Sequence, residues 1–225
     1  MANWTLYEKK IYINGTNTKD MEINAMKSNI MDNFQNSPSC KETFINDSNI
    51  STYVQVNSGK YPYIKNILMM PDEELNAGDI LSFDNKKWLC IEVDKTNPVY
   101  QSGTVYECAF TITLNRNNIL YEVPICIESG VRLYQLGVEE NKFTNIPSTV
   151  IVGRISNNEI NQLVERNDVY KIGLQNWKVV DINDAIEPGI LVIKFEYHVG
   201  ESAVKIIEDD TEEPTPTPSK PSALW

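Results

Sequence analysis

The sequence predicts a mainly β fold: two small SH3-like or β-barrel blocks joined by loops, with a short N-terminal helix and an extended C-terminal tail. Short runs rich in β-branched and aromatic residues alternate with tight-turn signals, which is typical of all-β proteins. An aspartate followed nine residues later by a tryptophan occurs twice. The last stretch is acidic and rich in proline and threonine, a composition that cannot form a core. At 225 residues the chain is long enough for two small cores.

Composition and charge limit the classes of function. Apolar residues make up 41% of the chain and charged residues 23%, so most of it should be globular. The net charge of -11 disfavours non-specific binding to nucleic acid, because an acidic surface repels phosphate backbones. The first ten residues lack the apolar core of a secretory signal, and no apolar run approaches the roughly 18 residues of a membrane helix. We therefore expect synthesis in the cytoplasm and no membrane contact.

Residues 1–60 are expected to form an N-terminal helix and an extended arm. Apolar residues within 21–34 favour one short amphipathic helix, which the polar and proline-containing segment 36–39 ends. The alternating run at 52–56 predicts a strand.

Residues 61–147 are expected to form the first β-barrel-like block. The runs at 79–83 and 86–93 are separated by Asp84 and Asn85, which both tolerate positive φ, and this pattern predicts a tight hairpin.

A second hairpin is predicted from 103–114 and 119–127, with a turn at 115–118. A long loop at 94–102 precedes it, and a further strand is possible at 131–136.

Residues 148–207 are expected to form the second β block. Its predicted elements are a strand at 150–155, a short helix or turn at 158–166, a hairpin over 169–182 and a final strand at 189–198. The acidic, Pro/Thr-rich tail at 208–225 follows.

The two blocks contain what looks like an internal repeat. Asp79 and Trp88 are nine residues apart, as are Asp168 and Trp177, and each pair spans a short strand and a turn. A short meander buries both faces only by curling onto itself, so the repeat predicts one small bent barrel used twice. We expect Trp88 and Trp177 to be core residues at equivalent places. The alternative is a coincidence between two ordinary hairpins.

Catalytic and metal-binding signatures are missing from the sequence. The four cysteines, Cys40, Cys90, Cys108 and Cys126, form no C-x-x-C pair, so we expect four reduced thiols and no zinc site. His198 is the only histidine, and it stands in no recognisable catalytic setting. Glycine-rich phosphate-binding loops are absent. We therefore expect no catalytic residue, no metal, no cofactor and no enzymatic activity.

Several phrases of the sequence resemble structural proteins of tailed phages of Gram-positive bacteria, encoded among the head and neck genes. The resemblance spans roughly residues 35–200 and is looser in the second block, over 168–182 and 188–190. The phrases in the first half are Asn36-Ser37-Pro38-Ser39, Met70-Pro71-Asp72-Glu73-Glu74-Leu75-Asn76-Ala77-Gly78-Asp79 with Trp88-Leu89-Cys90, Asn97-Pro98-Val99-Tyr100-Gln101-Ser102-Gly103, and Tyr106-Glu107-Cys108.

This resemblance implies a virion protein of the head-to-tail connector, of the head-closure or stopper type. Such proteins are small β-barrels that assemble into rings below the portal, although the simplest are about half as long as this chain. The implied partners are other copies of the chain and the neighbouring neck, portal, adaptor or tail proteins. DNA would pass through an acidic lumen without adhering to it. Pro98, Tyr100 and Trp225 are the candidate interface residues.

The ring has a possible mechanism in the strands, because each hairpin block is expected to offer an unpaired edge. The acidic tail, ending in Trp225, could dock on a neighbour. Other virion roles remain open, namely a tail-completion, baseplate or capsid-decoration protein. A carbohydrate-binding module is the alternative from another class, favoured only by the supply of Tyr, Trp and Asn.

Overall fold

The computed structural model of the chain describes residues 17–116, 119–127 and 150–200. These residues form one α-helix, one short 3₁₀ helix at Asn161–Leu163 and twelve β-strands, so the fold is mainly β as expected. The helix α1 is Thr18–Phe34, and the strands are β1 Cys40–Ile45, β2 Ser51–Ser58, β3 Ile64–Met69, β4 Ile80–Phe83, β5 Lys86–Asp94, β6 Ser102–Glu107, β7 Phe110–Arg116, β8 Ile119–Ile127, β9 Val150–Ser156, β10 Val169–Ile172, β11 Gln175–Asn183 and β12 Ile190–His198.

Strands β1–β6 form a closed antiparallel barrel in the order β1-β2-β3-β6-β5-β4. The barrel closes where β1 pairs with β4, with Phe44 opposite Ser82 and Ile45 opposite Leu81. Inward-pointing side chains of the strands form the first core together with Leu75, which lies between β3 and β4. The strand residues are Val54, Ile67, Met69, Leu81, Phe83, Trp88, Cys90 and Val105. The expectation of an unpaired edge in this block is wrong, because closure pairs every strand on both sides.

Strands β7–β12 form a second six-stranded sheet in the order β10-β11-β12-β9-β8-β7. Its end strands, β7 and β10, contact each other, so the sheet curls into a barrel-like shape. The second core consists of Ile112, Leu114, Val123, Ile125, Ile155, Val164, Tyr170, Ile172, Trp177, Val179, Leu191, Ile193 and Phe195.

Local sequence explains the best-predicted elements. Helix α1 begins where the Asn17 side chain accepts a hydrogen bond from the Asp20 amide at 2.9 Å, a normal N-cap, and Phe34 at its last turn is buried. The β4–β5 hairpin turns at Asp84 and Asn85, whose φ angles of 52° and 58° are the left-handed values that a type I′ turn requires.

The internal repeat is real at the level of topology. The order of β1–β6 in the first barrel is the order of β7–β12 in the second. Trp88 on β5 lies opposite Leu81, and Trp177 on β11 lies opposite Tyr170, in the same register. Three residues after each tryptophan the pairing with the next strand slips by one residue, as in a β-bulge. Coincidence between two ordinary hairpins does not produce a shared strand order and a shared bulge.

Both repeat tryptophans are buried, but their ring contacts differ. Trp88 is 3% exposed and stacks on Phe83, with ring centroids 5.1 Å apart. Trp177 is 7% exposed and meets Tyr197 edge-on at 6.0 Å.

The strand order divides the chain differently from the sequence boundaries at 60 and 147. Residues 40–58, which we expected in an N-terminal arm, supply the first two strands of the first barrel. The run 103–114, expected as one strand, is two: β6 belongs to the first barrel and β7 to the second. Strand boundaries read locally could not show this, because the chain changes barrels at Cys108 and Ala109 without a strong turn signal.

The possible strand at 131–136, the tail at 208–225 and the tail's Trp225 lie outside the described residues. Within the described ranges, no helix combines the length and the apolar character needed to cross a bilayer.

Candidate functional site: the junction between the barrels

The two barrels meet backbone to backbone at two glycines. A Cβ atom placed on Gly78 would overlap the Gly189 carbonyl, and one placed on Gly189 would overlap the Ala77 carbonyl. Both glycines also have positive φ angles, of 92° and 81°, which other residues rarely adopt. Gly189 is held from its own side by a 2.9 Å hydrogen bond from the Asn157 amide to its carbonyl. The junction therefore requires glycine at both positions.

A small apolar cluster joins the barrels beside these glycines. Ile80 and Leu89 come from the first barrel, and Cys126 and Ile190 come from the second, and all four are buried. The partly buried side chains around them are Ile91, Tyr106, Cys108 and Val192. Because the cluster contains side chains from both units, it holds the barrels together as a shared core.

Two thiols are in contact at this junction. The Sγ atoms of Cys108 and Cys126 are 3.0 Å apart, and the Cys126 Sγ lies 3.3 Å from the Tyr106 carbonyl oxygen, to which it donates. The hydrogen bond with Cys108, together with burial, raises the pKa of the Cys126 thiol far above its usual value. All four cysteines of the chain are free, as the sequence predicts.

Each barrel carries an aspartate that fastens the turn before its fourth strand. In the first barrel, the Asp79 carboxylate accepts hydrogen bonds from the Asn76 amide at 2.7 Å and from the Asn46 side chain at 2.8 Å. Asn46 follows β1, so this contact ties the end of β1 to the start of β4.

In the second barrel, the Asp168 carboxylate holds the equivalent turn, with charged and phenolic partners. It accepts from the Glu165 amide at 3.0 Å, from Arg116 Nη2 at 2.7 Å and from the Tyr170 hydroxyl at 2.6 Å. Burial and the hydrogen bond to Asp168 raise the pKa of Tyr170 well above its usual value. Arg116 ends β7, so its ion pair connects the two end strands of the sheet.

A cleft of about 660 Å³ opens between the barrels. Asn46 and Asp79 line it from the first barrel, and Asn157, Asn158 and Asn161 line it from the second. These polar groups are used within the protein: Asn46 bonds Asp79, Asn158 accepts from the Asn161 amide, and Asn157 accepts from a neighbouring glutamine. The polar side chains that line the cleft are therefore engaged in internal hydrogen bonds. A partner entering the cleft would mainly contact the apolar side chains at its rim.

The rim of the cleft continues into an exposed apolar surface, which we call the cleft-side patch. Leu120, which is 61% exposed, and Ile160 line the cleft itself. Ile119 and Leu163 belong to the same surface, because both lie next to Arg116. Arg116 pairs with Ile119 on β8, and its guanidinium donates to the Leu163 carbonyl at 2.8 Å. The patch consists of Ile119, Leu120, Ile160 and Leu163.

A second exposed apolar surface, the turn-side patch, surrounds the β10–β11 turn. The Phe110 ring lies beside Gly173, which precedes Leu174, a residue 98% exposed. The neighbouring end of β12 is held to this turn by the Asn176 side chain, which donates to the Gly200 carbonyl at 2.6 Å. The patch consists of Phe110, Leu174, Tyr197 and Val199.

The residues selected from the sequence lie elsewhere. Trp88 and Trp177 lie in the cores of separate barrels. Exposed Pro98 and half-buried Tyr100 line a groove of about 690 Å³ against α1, together with Met26.

Sequence reasoning missed both the glycine contact and the thiol contact. The thiols left a usable signal, because Cys108 and Cys126 are each nine residues from Asn117, inside the turn that the predicted hairpin is built on. The glycines left none, because Gly78 and Gly189 meet through the packing of two separately formed barrels.

Comparison with known proteins gives one family match. Residues 110–196 match the model of the YomX C-terminal domain, and this range coincides with the second barrel. The family is associated with phages, and the match is consistent with a phage protein. Comparison with curated proteins gives no match. The solved K. pneumonia MrkH-c-di-GMP complex is similar over 80% of this chain and 86% of that chain, at 11% identity and a TM-score of 0.22, which is too low to support an argument.

Proposed function

We propose that the protein is a structural component of the phage neck, which forms a ring between the portal or adaptor and the tail and closes the head. The phage-associated domain in the second barrel and the resemblance of residues 35–200 to neck proteins support this function. In this role the chain is not an enzyme, and its partners are copies of itself and the proteins above and below the ring.

The observation that carries the ring is the position of the two apolar patches. Strand β7 runs from Phe110, in the turn-side patch, to Arg116, which contacts the cleft-side patch. Arg116 is six residues after Phe110, and a strand rises by roughly 3.3 Å per residue. The two patches therefore lie about 20 Å apart, at opposite ends of the second barrel. Exposed apolar patches commonly mark protein interfaces.

Two different patches at opposite ends suit head-to-tail contacts. Joining the cleft-side patch of one copy to the turn-side patch of the next repeats the same rotation at every contact, and the assembly closes when the rotation divides the circle. The glycine contact and the shared core at the junction keep each copy rigid, which keeps that rotation constant. The net charge of -11 suits a channel through which DNA slides without adhering.

Complementation between patch variants tests the ring. Leu120→Ser with Ile160→Ser disables the cleft-side patch, and Leu174→Ser with Val199→Ser disables the turn-side patch. Light scattering after size exclusion should find the wild type in assemblies larger than dimers and each variant as a monomer. An equimolar mixture of the two variants should give dimers, because each pair retains one intact contact.

Ile50→Ser is the matched control, since Ile50 is also exposed but lies in the β1–β2 loop of the first barrel. It should assemble like the wild type. Patch variants that assemble as the wild type does, or a mixture that stays monomeric, would contradict the head-to-tail contact.

Location in the particle tests the neck assignment separately. Gold-labelled antibody against the chain should bind purified particles between head and tail. Deletion of the gene should give heads that package DNA, then lose it, and carry no tail. Label on the capsid surface or at the distal tail tip would instead indicate a decoration or baseplate protein.

A further inference from the structure

We propose that Cys108 and Cys126 are a redox modification site, at which a low-molecular-weight disulfide such as oxidised glutathione converts the two thiols into a disulfide that fastens the two barrels together. Their sulfur atoms are already 3.0 Å apart. A disulfide bond is about 2.05 Å long, so the sulfurs need to approach by only about 1 Å.

The position of each cysteine makes the bond a link between the barrels. Cys108 follows β6, and its amide donates to the Lys87 carbonyl on β5 at 2.8 Å, which fixes it to the first barrel. Cys126 lies on β8 of the second barrel, opposite Arg154 on β9. A bond between them therefore joins a segment held by one barrel to a strand of the other, inside the shared apolar cluster.

Exposure sets the order of the chemical steps. Cys108 is half-buried, whereas Cys126 is 3% exposed, so the small disulfide reaches Cys108 first. The Cys108 thiolate attacks one sulfur of oxidised glutathione, forms a mixed disulfide and releases one glutathione thiolate. The Cys126 thiolate then attacks the Cys108 sulfur and releases the second. The two cysteine protons end on the two released glutathione thiolates, so one oxidised glutathione becomes two reduced molecules and the protein is oxidised by two electrons.

The other two cysteines are placed differently. Cys90 is buried in the core of the first barrel, where its thiol points to the Glu92 carbonyl at 3.6 Å. Cys40 begins β1, which pairs with β2 and β4 and with neither β5 nor β6. Oxidation should therefore select the Cys108–Cys126 pair.

Oxidation of the full-length chain tests the site directly. The protein is incubated with oxidised glutathione, unfolded in the presence of an alkylating reagent and weighed by mass spectrometry. We expect the intact monomer to lose two hydrogen atoms, to carry two alkyl groups instead of four, and to yield one cross-linked peptide containing Cys108 and Cys126. The midpoint of thermal unfolding should rise on oxidation and return on reduction with dithiothreitol, since a cross-link constrains the unfolded chain.

Three variants keep the result interpretable. Cys40→Ser should oxidise as the wild type does. Cys108→Ser should remain fully alkylatable, and Cys126→Ser should stop at a glutathione adduct on Cys108, because the second thiol is missing. A wild-type chain that keeps four alkylatable thiols, or one that accumulates the same unresolved adduct, would overturn the proposal.

Discussion

Asp79 and Asp168 occupy equivalent positions in the two barrels, 89 residues apart in the sequence, and each carboxylate accepts the backbone amide three residues before it. The two differ in what else they bind. Asp79 takes a neutral amide from Asn46, whereas Asp168 takes a guanidinium and a phenol. The same turn is thus held by an aspartate with neutral partners in the first barrel and by an aspartate with a charged partner in the second.

The two aspartates should therefore differ in their contribution to stability. Asp168→Ala leaves Arg116 and the buried Tyr170 hydroxyl without their shared acceptor, and should lower the free energy of unfolding by about 2–3 kcal/mol. Asp79→Ala loses only neutral donors and should cost about 1 kcal/mol. Urea denaturation measures both, and equal losses would mean that the charged network adds nothing.

The glycine contact at the junction predicts a strong effect from one methyl group. Gly189→Ala should cost about 2–4 kcal/mol, because it adds backbone overlap, which typically costs about 1–3 kcal/mol, to the roughly 1 kcal/mol penalty of a left-handed conformation. Gly173→Ala is the control, since Gly173 also has positive φ but its added Cβ would meet only Phe110 at 3.6 Å. Thermal unfolding measures the loss of stability in each variant. Similar losses in the two variants would show that the barrels move apart at the junction without a loss of stability.

The repeat tryptophans should be similarly important for folding. Trp88→Ala and Trp177→Ala each remove a buried ring from a core, and each should cost about 3–5 kcal/mol. Chemical denaturation with circular dichroism would measure this. A loss below about 1 kcal/mol at either site would contradict its role as a core residue.

Alkaline pH should destabilise the folded chain. Burial, followed by the charge of Asp79, raises the pKa of Cys90 to about 12 in the folded state. The unfolded chain therefore releases this proton first, and stability is lost as the pH rises from about 9 towards 12, by up to roughly 1.4 kcal/mol per pH unit for this group.

A pair of variants isolates the contribution of Cys90 to this pH dependence. Cys90→Ala should reduce the slope of unfolding free energy against pH in that window. Val105→Ala removes a neighbouring core side chain without a titrating group, so it should lower stability at every pH and leave the slope unchanged. An unchanged slope in Cys90→Ala would disprove the assignment.

Features set by a few neighbouring residues were predictable from the sequence. The Asp84–Asn85 turn and the end of the helix near residue 36 follow from local conformational preference, and the Asp-to-Trp spacing indicated the repeat correctly. Membership of a barrel was not predictable in this way. Strands β1 and β2 complete the first barrel only through pairing with β3 and β4, and such long-range pairing leaves no periodic trace in the chain.

The candidate site was largely beyond reach of the sequence for the same reason. Residues at the junction come from both barrels, and their proximity is decided after each barrel has formed. Pro98 and Tyr100, which line a groove against the helix, stay interface predictions.

The way each barrel is closed has a mechanical consequence. Backbone hydrogen bonds join β1 to β4, and the ladder is extended by the Asn46 amide donating to the Ile80 carbonyl at 2.8 Å. Between β7 and β10, in the described part of the chain, the seam is bridged by the Arg116 side chain instead. Under a pulling load the second barrel would yield first, along that seam, while the first barrel kept its shape. In the proposed neck ring, DNA pressure would then strain the half of each subunit that holds the two apolar patches.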